Sequence, residues 1–217
     1  MSLAPRSVAR ASLVPLALAG LAACSSLLAP VLKPDVTTDV AEMEGGAWRL
    51  DPAHAALTFK IDHLGYSTYV GRFERFDVHL NGSPDDPANA HVEGIVDMTS
   101  LDIANDAFAE TLIGPDWFNA AKFPNARFQS TRIVLTGSNT ANVDGILTLR
   151  GKNAPISLSV TFNGAGFDRL RNAQVAGFSA TADLDRSVFG IDKYSGLLTD
   201  RVRVEIEAEL LAMPGVS

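Results

Sequence analysis

The 217-residue chain contains a single cysteine, Cys24. One cysteine permits no internal disulfide and no cysteine-built zinc site. Basic residues are also scarce. Eighteen Lys and Arg stand against 25 Asp and Glu, a formal charge of −7. A nucleic-acid partner is therefore not expected, because such proteins usually present a basic face. No apolar run reaches the roughly 20 residues that a helix needs to cross a bilayer. The chain has no Gly-x-Ser-x-Gly turn to carry a hydrolase nucleophile. Gly164-Ala165-Gly166 lacks the third glycine and following helix of a dinucleotide site. His54, His63, His79 and His91 fall into no ligand spacing, so neither a metal nor an enzyme activity is expected. The remaining composition, 47% hydrophobic and 20% charged, suits a folded domain and not a disordered or fibrous chain.

Residues 1–23 read as a targeting segment. Arg6 and Arg10 precede thirteen uncharged residues, Ala11–Ala23. That is the length of a secretory apolar region and too short for a spanning helix. The junction Leu21-Ala22-Ala23-Cys24 resembles the bacterial lipobox, in which the peptidase cuts before a cysteine that has received diacylglycerol. The alternative is an ordinary signal peptide with a stray cysteine. Acylation of Cys24 would anchor the protein to a membrane, each buried CH2 contributing about 0.8 kcal/mol. Ser25 in place of aspartate points to a periplasmic lipoprotein of the outer membrane. Removal of residues 1–23 takes away two arginines and no acid, which leaves a charge of −9. Such a body is held to anionic lipid by its acyl chains and not by its surface charge. Residues 24–46 are rich in Pro, Asp, Glu and Thr and show no sustained period. They read as a flexible tether with a mean span of about 25–30 Å.

From residue 47 to 211 the dominant signal is alternation of apolar and polar residues. Eight such runs are visible, from Leu57-Phe59-Ile61-His63 to Val202-Val204-Ile206-Ala208-Leu210. Tyr69–Leu80 is one long run with Phe73 and Phe76 out of step, which a bulge could absorb. Asn81-Gly82-Ser83-Pro84-Asp85 and Arg150-Gly151-Lys152-Asn153 are among the turns between runs. Polar outer faces and short connections favour antiparallel pairing. Asn105–Asn119 breaks the alternation with helical spacing, placing a short helical insert between strands three and four. The expected fold is all-β, an eight-stranded antiparallel up-and-down barrel, with a two-sheet sandwich as the alternative. Residues 212–217 form a C-terminal tail.

Six motifs occur in order: Trp48-Arg49-Leu50-Asp51-Pro52-Ala53-His54, Gly71-Arg72-Phe73, Trp117–Pro124, Phe128-Gln129-Ser130-Thr131, Gly145–Gly151 and Asp185–Ile191. Together they resemble the YceI-like, polyisoprenoid-binding family of bacterial envelope proteins over residues 47–211. The resemblance implies a lipocalin-like barrel whose apolar interior holds a polyisoprenoid, an isoprenoid quinone or a similar long-chain lipid, with no other cofactor. The insert Ala109–Asp116 departs from the family's usual polar sequence, so the end of the cavity it edges is expected to differ.

Within that reading, Phe59, Ile61, His63, Phe73, Trp117, Phe118, Phe128, Leu147, Phe162, Phe178 and Phe189 are the candidate cavity lining. The aromatics among them could equally fill a solid core. Arg186 and Asp192 are candidate mouth residues that either meet a lipid head group or close the barrel end. Small inward residues, Gly94, Gly145, Ala180 and Ala182, would leave room for a ligand. An exposed aromatic rim could also serve a homodimer. Two other readings compete with lipid binding: a structural barrel without a ligand, and an enzyme acting on a lipid or quinone. The anchor has its own test. Cys24→Ala is expected to accumulate as unprocessed precursor on an immunoblot, and normal processing with membrane retention would contradict the lipobox.

Overall fold

The computed structural model describes residues 32–213 and residue 215. Cys24 and the leader lie outside the described residues. Ten strands follow one another: β1 (Gly46–His63), β2 (Ser67–Phe73), β3 (Phe76–Ser83), β4 (Asp86–Asp97), β5 (Leu101–Asp102), β6 (Asn125–Leu135), β7 (Thr140–Leu149), β8 (Lys152–Asp168), β9 (Ala173–Asp185) and β10 (Arg201–Ala212). All pairings between these strands are antiparallel, and β10 returns to pair with β1. The sheet is thereby a closed barrel with eight positions. Two positions are bent strands in two pieces, β2 with β3 and β4 with β5.

The first bend is the Phe73–Phe76 irregularity. Asp97 N–H donates to the Arg75 carbonyl (3.0 Å) and Glu74 N–H to the Ser100 carbonyl (3.0 Å), so the two bends are stitched to each other. The Ser100 hydroxyl accepts from Arg75 N–H at 3.0 Å. β1 is longer than its alternation suggests. Its first half pairs with β3 and its second half with β2. A register shift between Leu50 and Ala55 separates the halves. Asp51-Pro52-Ala53-His54 forms that bulge, with the Asp51 carboxylate accepting from Ala53 N–H (3.0 Å). The bulge lets one strand change partners, which a regular ladder does not allow.

The stretch read as a tether is not free over its described part. Thr37 forms an antiparallel bridge with Ala165. Val40–Glu42 is a 3-10 turn capped by Asp39. Val40 and Met43 pack on the core around Trp48, and the Trp48 indole N–H donates to the Glu44 carbonyl (3.1 Å). The reason is an exposed edge. β7 pairs with β8 only as far as Thr161, so residues 163–168 of β8 would otherwise present unpaired backbone groups. The N-terminal segment covers part of that edge.

One end of the barrel carries the β3–β4, β6–β7 and β8–β9 hairpins and is called here the hairpin end. The other carries α1 (Asp106–Ile113), the segment 114–124 and the loop 190–200, and is called the lid end. α1 is capped by Asn105, whose side chain accepts from Phe108 N–H at 3.0 Å. Two arginines bind the lid together. Arg150 donates to the Gly190 carbonyl (2.6 Å) and the Pro115 carbonyl (2.8 Å). Arg186 is 3% exposed and donates to the carbonyls of Ile191 (2.8 Å), Lys193 (2.9 Å) and Thr199 (3.1 Å). Its Nη2 stands 2.9 Å from Asp200 Oδ1, within ion-pair range but off the line of a hydrogen bond.

The core is divided. One cluster lies under the lid, with Leu57, Phe73, Leu112, Trp117 and Phe189 among its members. A second lies at the hairpin end, with Trp48, Leu50, Phe162, Ala176 and Leu210. Arg186→Met removes the cation that gathers the loop carbonyls. Breaking one partner of a buried charged network costs about 3 kcal/mol. Urea melts should therefore show a lower midpoint, with faster hydrogen exchange over 191–200. Unchanged exchange in that loop would show that Arg186 does not hold the lid.

Candidate functional site: an apolar cavity inside the barrel

Between the two clusters the inward faces do not meet. Val143, Ile156, Leu158, Val160, Ala180, Ala182, Val202, Val204 and Ile206 line a cavity of about 640 Å³. Several of these inward residues are only half-buried, because the space they face is wide enough to admit solvent. The register explains how they face one another. Val160 stands opposite Ala180, Ala180 opposite Ile206, and Ile206 opposite Leu57 across the closing seam.

Of the lining expected from sequence, Phe59, Ile61, His63, Phe73, Trp117, Phe118, Phe128, Leu147, Phe162 and Phe178 border the cavity. Phe59, Phe73 and Phe118 form an aromatic group below the lid, with ring centroids 5.7–6.5 Å apart. Phe162 and Phe178 meet at 5.5 Å toward the hairpin end. His63 is exposed at the lid-end rim, 6.4 Å from the Tyr69 ring. Phe108 of α1 meets Tyr69 edge-on at 5.9 Å.

Three expectations are corrected. Phe189 does not border the cavity. It is 1% exposed and packed in the lid core, because Arg186–Phe189 is a 3-10 turn and not a strand. Arg186, by contrast, does border the lid end of the cavity, and its guanidinium is spent on the lid loop, the closing role of the two considered. Asp192 is exposed outside the cavity lining. Among the small residues, Gly145 leaves no room, since a Cβ there would overlap the Phe128 ring. Gly94 does leave room. Its nearest neighbour to an added Cβ is Phe128 Cβ at 3.8 Å.

Charged residues along the cavity stand mostly at its ends or on the outer wall. Asp62 and His63 lie at the lid-end rim and Glu44 at the hairpin end. Asp77 pairs with Arg49 (2.7 Å) and Arg127 with Glu93 (3.2 Å). Sequence reasoning missed the hairpin-end rim, formed by Pro84, Pro87, Leu135 and Ser138–Ala141. Of these, Pro84 falls in an expected turn and Leu135 at the end of an alternating run, and neither position marks a cavity in the sequence.

A second polar feature lies on the wall near the hairpin end. Asp51, His54 and Glu209 bring possible ligand atoms within 4.8 Å of one another. A guanidinium stands among them: Arg171 Nη1 lies 2.9 Å from Asp51, 2.6 Å from Glu209 and 3.3 Å from His54 Nδ1. Its Nε donates to Asp168 at 2.8 Å. The cluster is thus organised around an internal cation. Burial works against ionisation of Asp51, but bonds from His54, the Ala53 N–H and Arg171 outweigh it and hold the carboxyl below its ordinary range. Asp168 is held low chiefly by the Arg171 backbone N–H, against burial, with the guanidinium adding to it.

A closed antiparallel barrel with an apolar internal cavity is a binding architecture by its geometry. The YceI-like domain model matches residues 48–210, and the chain belongs to that family. A UPF0312 protein of Vibrio cholerae is 39% identical over 139 residues, covering 64% of this chain and 73% of its own. Among solved structures, Burkholderia cenocepacia BcnA aligns with TM-score 0.66 at 24% identity, over 76% of this chain and 99% of its own. A polyisoprenoid binding domain from Saccharophagus degradans, implicated in plant cell wall breakdown, aligns with TM-score 0.57 at 15% identity, over 76% of this chain and 98% of its own.

The lowered carboxyls set a pH dependence. Their stabilisation is complete above the unfolded value of about 3.9 and is lost as pH falls through the lower folded values. Arg171→Met should be less stable at neutral pH, and its stability should fall less steeply below about pH 4. Equal slopes for variant and wild type would contradict the assignment.

Proposed function

We propose that the protein binds the hydrocarbon chain of a polyisoprenoid or similar long-chain amphipathic lipid inside the barrel. In this reading it does so as an acylated envelope lipoprotein on the periplasmic side of the outer membrane. The observation that carries the proposal is the 640 Å³ apolar cavity between two packed cores. Side chains that face this space have no contact partners across it, so leaving it without an apolar occupant costs stability. Water is a poor filling, since buried water needs polar partners that this wall lacks. An apolar chain satisfies both demands and gains about 0.8 kcal/mol for each CH2 that leaves water. The Saccharophagus neighbour, described as a polyisoprenoid binding domain, supports the same reading.

The mechanism is partition. The chain leaves water and the two rims meet its ends. A quinone with an isoprenoid tail presents the same chain chemistry and would be cargo, not cofactor. A purely structural barrel is disfavoured by the unfilled middle. An enzyme would need convergent polar groups inside, whereas the central wall is Val, Leu, Ile and Ala.

Lipid extracted from protein purified from its native membrane is expected to contain a long-chain species by mass spectrometry. Gly94→Leu should fill part of the cavity, raise the stability of the empty protein and lower the recovered lipid severalfold. Repeated recovery of empty wild-type protein, or lipid undiminished in the variant, would sink the proposal.

A further inference from the structure

The segment that leads back toward Cys24 leaves the barrel at one defined place. Thr37 and Ala165 exchange both backbone hydrogen bonds, at 2.9 and 2.8 Å. The bridge is antiparallel, so residues before Thr37 run along β8 toward Asp168 and the turn into β9. Gly164 and Gly166 make the approach feasible. A Cβ at either would collide with Asp35, Val36 or Thr37. From Leu32 back to Cys24 is eight residues, a reach of at most about 29 Å. An acyl chain on Cys24 therefore holds the hairpin end close to its membrane.

The turn at that end holds apolar groups outward. Asp168 Oδ1 accepts from the N–H of Leu170 (2.7 Å) and of Arg171 (3.1 Å). Arg171 is fixed in turn by Asp51, Asp168 and Glu209. Asn172 closes the turn in the left-handed region, φ 51°. Leu170 is left 75% exposed, with Phe167 at 45% and Val36 at 57%. Leu170 stands on a braced turn, Phe167 near the end of β8, and Val36 on the segment bridged to β8 at Thr37.

We propose that this tip, Leu170 with Phe167 and Val36, sits in the interfacial layer of the bilayer that carries the acylated Cys24. The inference rests on the lipoprotein reading above and adds an orientation to it. The attraction is apolar burial, since a body of charge −9 gains nothing from anionic lipid. Leu64, Tyr66, Val188, Tyr194 and Leu197 are also exposed, but they lie at the lid end, away from the exit of the chain. The orientation has a consequence for the ligand. Pro84, Pro87 and Leu135 rim the cavity at the hairpin end, and Leu135 is 54% exposed. A lipid tail then enters from the bilayer side with a short passage through water.

The test uses the full acylated protein in vesicles of phosphatidylethanolamine and phosphatidylglycerol. Leu170→Cys and Tyr66→Cys are each labelled with an environment-sensitive fluorophore. The thioether at Cys24 does not react with the label. The probe at 170 is expected to shift to the blue and to lose intensity when brominated lipid is included, while the probe at 66 does neither. Flotation of both proteins with the vesicles reports the anchor separately. Flotation with a probe at 170 as wet as that at 66 overturns the docking proposal alone. Loss of flotation overturns the anchor and the docking proposal together.

Discussion

Leu57, Phe59 and Ile61 of β1 pair with Ile206, Val204 and Val202 of β10, and this seam turns a sheet into a tube. Closure removes the two edges and gives every strand an inner and an outer face. The outer faces carry exposed ion pairs such as Lys60–Glu205 and Arg201–Asp183, each worth little by itself. The inner faces are where the free energy lies. Once the seam is made, apolar residues from eight directions point into a space whose width is set by strand number and tilt, not by the size of the side chains.

The protein packs the two ends and leaves the middle open. At the hairpin end Trp48, 2% exposed, joins Leu210 and Phe162. At the lid end a helix and a loop are drawn inward and fastened by Arg150 and Arg186, which bind carbonyls of segments that have no strand partners. Between them stand Val, Leu, Ile and Ala residues too short to meet. The division explains why so many apolar residues are only half-buried in a well-formed barrel. It also explains why the cavity reaches toward both rims.

Much of this was legible in the sequence, because a barrel wall with one wet face obeys period two. The eight runs, the break at Phe73–Phe76 and the place of the insert all follow from that rule. What was not legible has specific causes. Asp51-Pro52-Ala53-His54 interrupts the alternation, so the regular run starts only at Leu57, yet the bulge is what lets β1 pair with both β2 and β3. Residues 35–46 have the composition of a linker and are ordered by the β8 edge that β7 leaves uncovered and by packing of Val40 and Met43 on the core around Trp48. Phe189 continues the run of expected lining aromatics but belongs to a 3-10 turn and packs in the lid core. Gly145 was read as free space, although the facing Phe128 ring fills it. In each case the deciding partner lies on a distant strand, which a one-dimensional pattern does not record.

The central claim is that the cavity recognises a chain by its apolar length. The most direct measurement is calorimetric titration of delipidated protein with isoprenoid alcohols of increasing length. The account predicts affinity that rises with each added isoprene unit until the cavity is full, with a negative heat-capacity change of binding. Affinity independent of chain length, with no heat-capacity change, would contradict it.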